Sequence, residues 1–272
     1  MKLLFYFGLF LFLFSCNQNE TLVSDAQKVE LKPLISTKKM VLIEGGKYQP
    51  FYGKGDSLVS VKSFYIDDSP VTNGEFLEFV KKNPQWRKSE IKRLYADSLY
   101  LKDWISDTEL PKNSKINSPV TQVSWFAAKA YAKSVGKRLP TLDEWEFVGR
   151  ADETDKNASK KLSYSSNIIN LYNEKNRQFN EIKKSKPNIY GVYNMFDLVW
   201  EWTEDFNSIL TTGDSRGGVY DDKQLNCAAS AISANDIYNY AAFMRFALRT
   251  SVKANFTINN LGFRCAKDSL AK

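Results

Sequence analysis

Histidine is absent from all 272 residues. That absence excludes imidazole metal sites, the Ser-His-Asp triad and the Cys-His nucleophile pair. Cysteine is scarce too, with only Cys16, Cys227 and Cys265. Chemistry in such a chain falls to carboxylates, thiols, Lys, Tyr or a bound ion. The apolar run from Leu3 to Phe14 is too short to span a bilayer, and no internal repeat marks a solenoid or propeller. Lys and Arg exceed Asp and Glu by 38 to 31, but the basic pairs at 38–39, 81–82, 160–161 and 183–184 are scattered among acids. This is a solvated surface and not a nucleic-acid footprint.

What is present begins with a leader. Lys2 followed by the apolar run reads as a signal-peptide core, and Leu13-Phe14-Ser15-Cys16 resembles a lipobox, cut before a cysteine that carries lipid such as palmitate. The expected organisation is a lipoprotein signal over 1–15, a polar tether over 16–39, one domain over 40–267 and a tail over 268–272. Attachment is through lipid on Cys16, and Asn17 in place of Asp points to the periplasmic face of the outer membrane. In that oxidising compartment Cys227 and Cys265 are left either as one disulfide or as two thiols, each behaving as a small hydrophobe.

Along the domain, Met40–Ile43 and Leu58–Ile66 read as strands, and Val120–Trp125 is strand-like. A helix is expected from about Thr72, and an Ala-rich one over Phe126–Val135, ended by Gly136. Thr141 and Glu144 have capping-box spacing and start a helix carrying Trp145 and Phe147. Residues 83–118 form a long polar stretch holding Trp86 and Trp104, and 152–162 a charged surface loop. Strands, short helices and long irregular connections make a loop-rich α+β domain.

The segments "MVLIEGGKY", "SFYIDDSPVTNGEFLEFV", "PVTQVSWFAAKAYAKSVGKRLPTLDEWEF", "YGVYNMFDLVWEWTEDF", "RGGVY" and "NLGFRCA" together resemble the formylglycine-generating enzyme, or sulfatase-modifying factor, family. The resemblance implies one irregular α+β domain of the C-type-lectin-like type. "NPQWRKSEIKRLYAD", "LKDW" and the stretch from Tyr240 to Cys265 further resemble a subset found as an accessory protein beside copper-containing nitrite reductase.

The acidic, Trp-rich stretch "GVYNMFDLVWEWTEDF" admits three readings: paired catalytic carboxylates, a stacking platform, or an oxygen cage for a hard cation. On a strand Trp200 and Trp202 share a face and Glu201 points away, which suits core aromatics with Glu201 turned to a cation. A glycosidase-type pair would need two acids facing one bond. The family resemblance implies calcium here, held by side-chain oxygens of Asn194 and Glu201 and the carbonyls of Asp197 and Val199, which is a suitable ligand mix. Where the family has Gly-Asn this chain has Asp197-Leu198. A second calcium site is implied at Asn167 and the carbonyl of Ile168, with Glu174 and Glu181 as candidates for its acid.

The family's oxidase chemistry turns a substrate cysteine into formylglycine with oxygen and a copper(I) ion on two thiolates, which are the soft ligands that ion requires. The position of one thiolate falls at Ala241 and that of an active-site serine at Val219. Cys227 stands in an insertion between Tyr220 and Tyr240. The family's disulfide positions fall at Ala132 and Phe246. Copper and formylglycine-generating activity are therefore not expected. The leading reading is a lipid-anchored accessory protein that binds a protein or peptide partner in the periplasm, with a copper nitrite reductase suggested by the narrower resemblance. The alternatives are an oxidase or cofactor-modifying enzyme rebuilt around Cys227, and a structural lipoprotein of a secretion or gliding machine.

Overall fold

A computed structural model describes residues 31–50, 58–112, 114–175, 177, 180–206, 244–245, 247–249 and 251–269. Among these residues no helix is long and apolar enough to cross a membrane. Strand β1 (Met40–Ile43) pairs antiparallel with β4 (Phe64–Asp67), which pairs antiparallel with β7 (Ala266–Asp268). Strands β2 (Gly46–Tyr48) and β3 (Val59–Val61) form a separate antiparallel pair. The expected strand over Leu58–Ile66 is thus two strands. The break at Lys62-Ser63 lets the chain pass Gly45, where a Cβ would lie 2.3 Å from the Val61 carbonyl oxygen.

Helix α1 (Asn73–Lys82) starts at a reciprocal capping box of Thr72 and Glu75, and α3 (Leu142–Gly149) at one of Thr141 and Glu144. Helix α2 (Trp125–Ser134) is capped by the Ser124 hydroxyl. That cap and the left-handed Gln122 (φ 56°) overturn the strand expected over Val120–Trp125, since they turn the chain from extended into helix within three residues. Gly136 ends the turn after α2 at φ 69°, a conformation that glycine adopts without strain. Helix α4 (Leu162–Asn173) follows the charged loop expected over 152–162. It buries Tyr164 and Ile168, one turn apart, against Ala158.

The long connection over 83–118 carries one 3-10 turn, Pro84–Trp86, and buries Trp86, Tyr100, Leu101 and Trp104 in the larger apolar cluster with Phe76, Phe79 and Tyr131. Burying the loop's three rings and a Leu at roughly 1.5–3 kcal/mol each explains how so long a loop holds one course. A smaller cluster gathers Ile43, Tyr48, Phe64, Ile66, Trp145 and Phe147. The tether is shorter than expected. Leu31 and Leu34 pack on the larger cluster, and Lys32 exchanges hydrogen bonds with the Asn83 side chain at 2.8 and 3.3 Å. Lys38 is buried in a 2.8 Å ion pair with Glu75. Residues from 31 onward are therefore part of the domain, and its compact unit starts at Leu31.

Strand β5 (Trp200–Glu201) runs parallel to β6 (Leu261–Gly262). Gly262 is required there, because a Cβ on it would sit 2.5 Å from the Val120 carbonyl oxygen. Gly262→Ala should therefore lower the urea midpoint, with a cost of about 1–3 kcal/mol. Gly46→Ala, whose Cβ would meet only the Phe147 ring at 3.5 Å, should change stability by less than about 1 kcal/mol.

Candidate functional site

Strand β5 delivers Glu201 into the interior, where its side chain has no solvent exposure. A buried carboxylate must be paired and hydrogen-bonded, and Arg264, equally buried, supplies the charge. Arg264 Nε donates to Glu201 Oε2 at 2.7 Å and Nη2 donates to Oε1 at 2.8 Å, a bidentate fork. Trp145 Nε1, from α3, adds a third bond to Oε2 at 2.7 Å. The same guanidinium reaches the carbonyls of Tyr193 and Asn194, both at 3.0 Å, and that of Asp67 at 3.4 Å. Its neighbours Phe263 and Cys265 belong to the larger apolar cluster and Trp145 to the smaller. The ion pair therefore lies at the seam between the two.

The turn leading into β5 is tied by side chains. Asn194 adopts a left-handed conformation (φ 54°), which Asn tolerates better than most residues. Its Oδ1 accepts from the Lys183 amide at 2.8 Å, and its Nδ2 donates to both oxygens of Asp197 at 3.1 and 2.9 Å. Arg177, itself buried, donates from Nη1 to the carbonyls of Leu171 and Phe196, both at 3.0 Å. Trp202 Nε1 donates to the Val123 carbonyl, and Trp200 lies on Tyr172 with centroids 4.6 Å apart.

A cavity of about 20 Å³, room for one water, is lined by Trp145, Tyr172, Trp200, Glu201, Arg245 and Arg249 among others. Arg249 makes a 3.5 Å ion pair with Glu146, and Arg245 lies over the Phe196 ring at 5.2 Å. The acids that follow Glu201 in the Trp-rich stretch also have internal partners. Glu204 pairs with Lys129, and Asp205 accepts from the Leu142 amide at 2.7 Å. No two of Glu201, Glu204 and Asp205 are left to face a substrate bond.

Calcium fits neither implied site. At the first, the structure brings Asn194, Asp197 and Glu201 to one turn. However, the Glu201 oxygens are taken by a guanidinium and an indole, and Asn194 presents its amide nitrogen to Asp197. At the second, Asn167 and Ile168 lie inside α4, where the Ile168 carbonyl belongs to the helical ladder. Asn167 and Glu174 do border one open groove, while Glu181 lies 3.4 Å from Lys184. Among the described residues no cluster of three or more Cys, Asp or Glu could hold a metal ion.

Cys265 is a free thiol with no solvent exposure. Burial, and then the charge of Asp67, pushes that thiol well above its ordinary range. A thiol so placed is shielded from solvent and reagents, unlike the exposed, low-pKa cysteines of catalytic sites. Ala132 is buried on α2. Cys16, Val219, Cys227, Ala241 and Phe246 lie outside the described residues. The sequence reading missed Arg264, Trp145, Arg177, Arg245 and Arg249. Arg264 did carry a signal, since a charge inside the apolar run "GFRCA" has to be paired.

Residues 25–269 match the model of the family described as the sulfatase-modifying factor enzyme 1-like domain. Serine/threonine-protein kinase pkn1 of Chlamydia pneumoniae is 30% identical over 67% of the chain, which spans only 30% of that relative's length. Inactive C-alpha-formylglycine-generating enzyme 2 of Bos taurus is 27% identical over 85% of the chain and 88% of the relative. Formylglycine-generating enzyme of Streptomyces coelicolor is also 27% identical, over 86% and 90%. The solved structure of PvdO from Pseudomonas aeruginosa aligns over 85% of this chain and 94% of that one, at 19% identity and a TM-score of 0.48.

Trp145→Phe keeps the ring packing and deletes one donor to Glu201, and should cost about 1.5–3 kcal/mol in urea unfolding. Glu201→Ala strands the Arg264 charge and should cost more, about 3–5 kcal/mol.

Proposed function

The chain belongs to the sulfatase-modifying factor enzyme 1-like domain family, and on that premise we propose that it is a binding or scaffold member without the family's copper oxidase chemistry. The observation that carries this reading is the place of Cys265, a free thiol sealed in the core with no solvent exposure. Copper(I) oxidation of a cysteine needs a pair of accessible thiolates on the protein. The only other thiols in the sequence are Cys16, read as the lipid site, and Cys227. Ala241 stands where the resemblance requires sulfur. Histidine is absent, and the acids of the Glu201 segment are tied to internal partners. One matched relative is itself named as inactive. A family fold fixes no chemistry by itself.

In this proposal the module is tethered by lipid on Cys16 at the periplasmic face of the outer membrane and engages an exported protein during its maturation. The narrower sequence resemblance favours a copper nitrite reductase as that protein.

Two experiments test the reading. The protein, loaded with copper(I) and given oxygen and a cysteine-containing peptide, should form no peptide aldehyde detectable by mass spectrometry. Aldehyde formation that disappears in Cys227→Ser would replace the scaffold reading with an oxidase built on that thiol. In cells, a palmitate analogue should label the protein, and Cys16→Ser should abolish the label and leave an unprocessed precursor. Label that persists in Cys16→Ser would remove the anchor from the proposal.

A further inference from the structure

We infer that two internal guanidinium groups, Arg264 and Arg177, do in this chain the charge balancing and carbonyl gathering that calcium would do in the turn over 193–201, so that the turn folds without metal. A calcium ion organises a turn by drawing six to eight oxygens around one positive charge. Here the oxygens are already drawn to nitrogen. Arg264 takes both Glu201 oxygens and the carbonyls of Tyr193, Asn194 and Asp67. Arg177 takes the carbonyls of Leu171 and Phe196, and the charge of Asp197 acts on it. Between them the two guanidinium groups hold three of the four carbonyls from residue 193 to residue 196, together with the one buried carboxylate of the turn.

Geometry and charge both favour this arrangement over a metal. The guanidinium is a planar fork of five donors and cannot be deprotonated in a protein, so it is a permanent cation fixed by its own chain. A divalent ion bound at Glu201 would sit beside Arg264 in a dry site, where repulsion between like charges is scarcely screened. Asp197 does not add a ligand, because the Asn194 amide nitrogen holds both of its oxygens. Lys183, whose amide occupies Asn194 Oδ1, brings another cation, held by Asp68 at 2.8 Å.

The test is the metal content and thermal unfolding of the protein, exchanged first into EDTA and then into millimolar calcium. The expected result is substoichiometric calcium and melting temperatures within about 1 °C of each other, whereas a site filled at a hundredfold its Kd would shift the transition by roughly 5 °C or more. Stoichiometric calcium, or a shift of that size in the wild-type chain, overturns the inference. Arg177→Met should melt lower in both conditions by a similar amount. Arg264→Met frees Glu201 and its neighbouring carbonyls, and should be the variant whose melting temperature rises with calcium. An Arg264→Met protein that folds and gains no calcium response counts against the guanidinium as the excluding charge. If Arg264→Met does not fold, the wild-type metal content and the Arg177→Met shifts decide between the two outcomes.

Discussion

The buried fork between Glu201 and Arg264 is the constraint on which the rest of the structure depends. It joins residues 63 positions apart, on the two strands of the β5–β6 pair, or just beyond one of them. Through Trp145 it reaches α3, and through carbonyls it reaches the end of β4 and the turn before β5. Replacing such a pair with well-packed apolar groups is often neutral or stabilising, so its presence is weak evidence for stability. What it does provide is registry. A carboxylate that can be satisfied in only one place forces β5, β6 and α3 into one relative arrangement, whereas apolar contacts alone would tolerate slippage. The parallel pair has two residues per strand, too few for ladder hydrogen bonds to set that register unaided.

Order in the remainder comes from side chains more than from backbone ladders. Among its described residues the connection over 83–118 has no strand and a single 3-10 turn, yet Trp86, Tyr100, Leu101 and Trp104 anchor it to the core. Tyr100 also donates to the Trp86 carbonyl at 2.9 Å, so the loop is closed on itself as well as on its support.

The local signals in the sequence were legible where their cause was local. Thr72 with Glu75 and Thr141 with Glu144 satisfy the first-turn amides of their own helices, so both starts carried a local signal, and the spacing of the second pair was enough to place its helix. Helix α4 has no such signal. It begins after Lys161, which makes no side-chain cap, and its Ser and Asn content resembles that of a turn. The Val120–Trp125 stretch misled because buried β-branched residues look the same in a strand as in a loop pinned between two elements. The partner of Glu201 was illegible for a different reason. The sequence required a cation for that carboxylate but not a particular one, and the arginine that supplies it comes 63 residues later. The distinction between a metal ion and a guanidinium lives in tertiary contacts and not in the motif.

The docked arm from Leu31 onward has a mechanical consequence. Lys32 and Asn83 exchange two hydrogen bonds, the Leu34 amide bonds the Ser134 carbonyl, and Lys38 is clamped at Glu75. A pull arriving from upstream of residue 31 would load these bonds together, in shear, before any of it reached β1. The Lys32 and Leu34 bonds sit at the C-terminal ends of α1 and α2, at Asn83 and Ser134, and the Lys38 pair at the first turn of α1, so the force would run into two helices packed in the larger cluster and bypass the β5–β6 seam. The interior pair would therefore be shielded from tension applied upstream of residue 31.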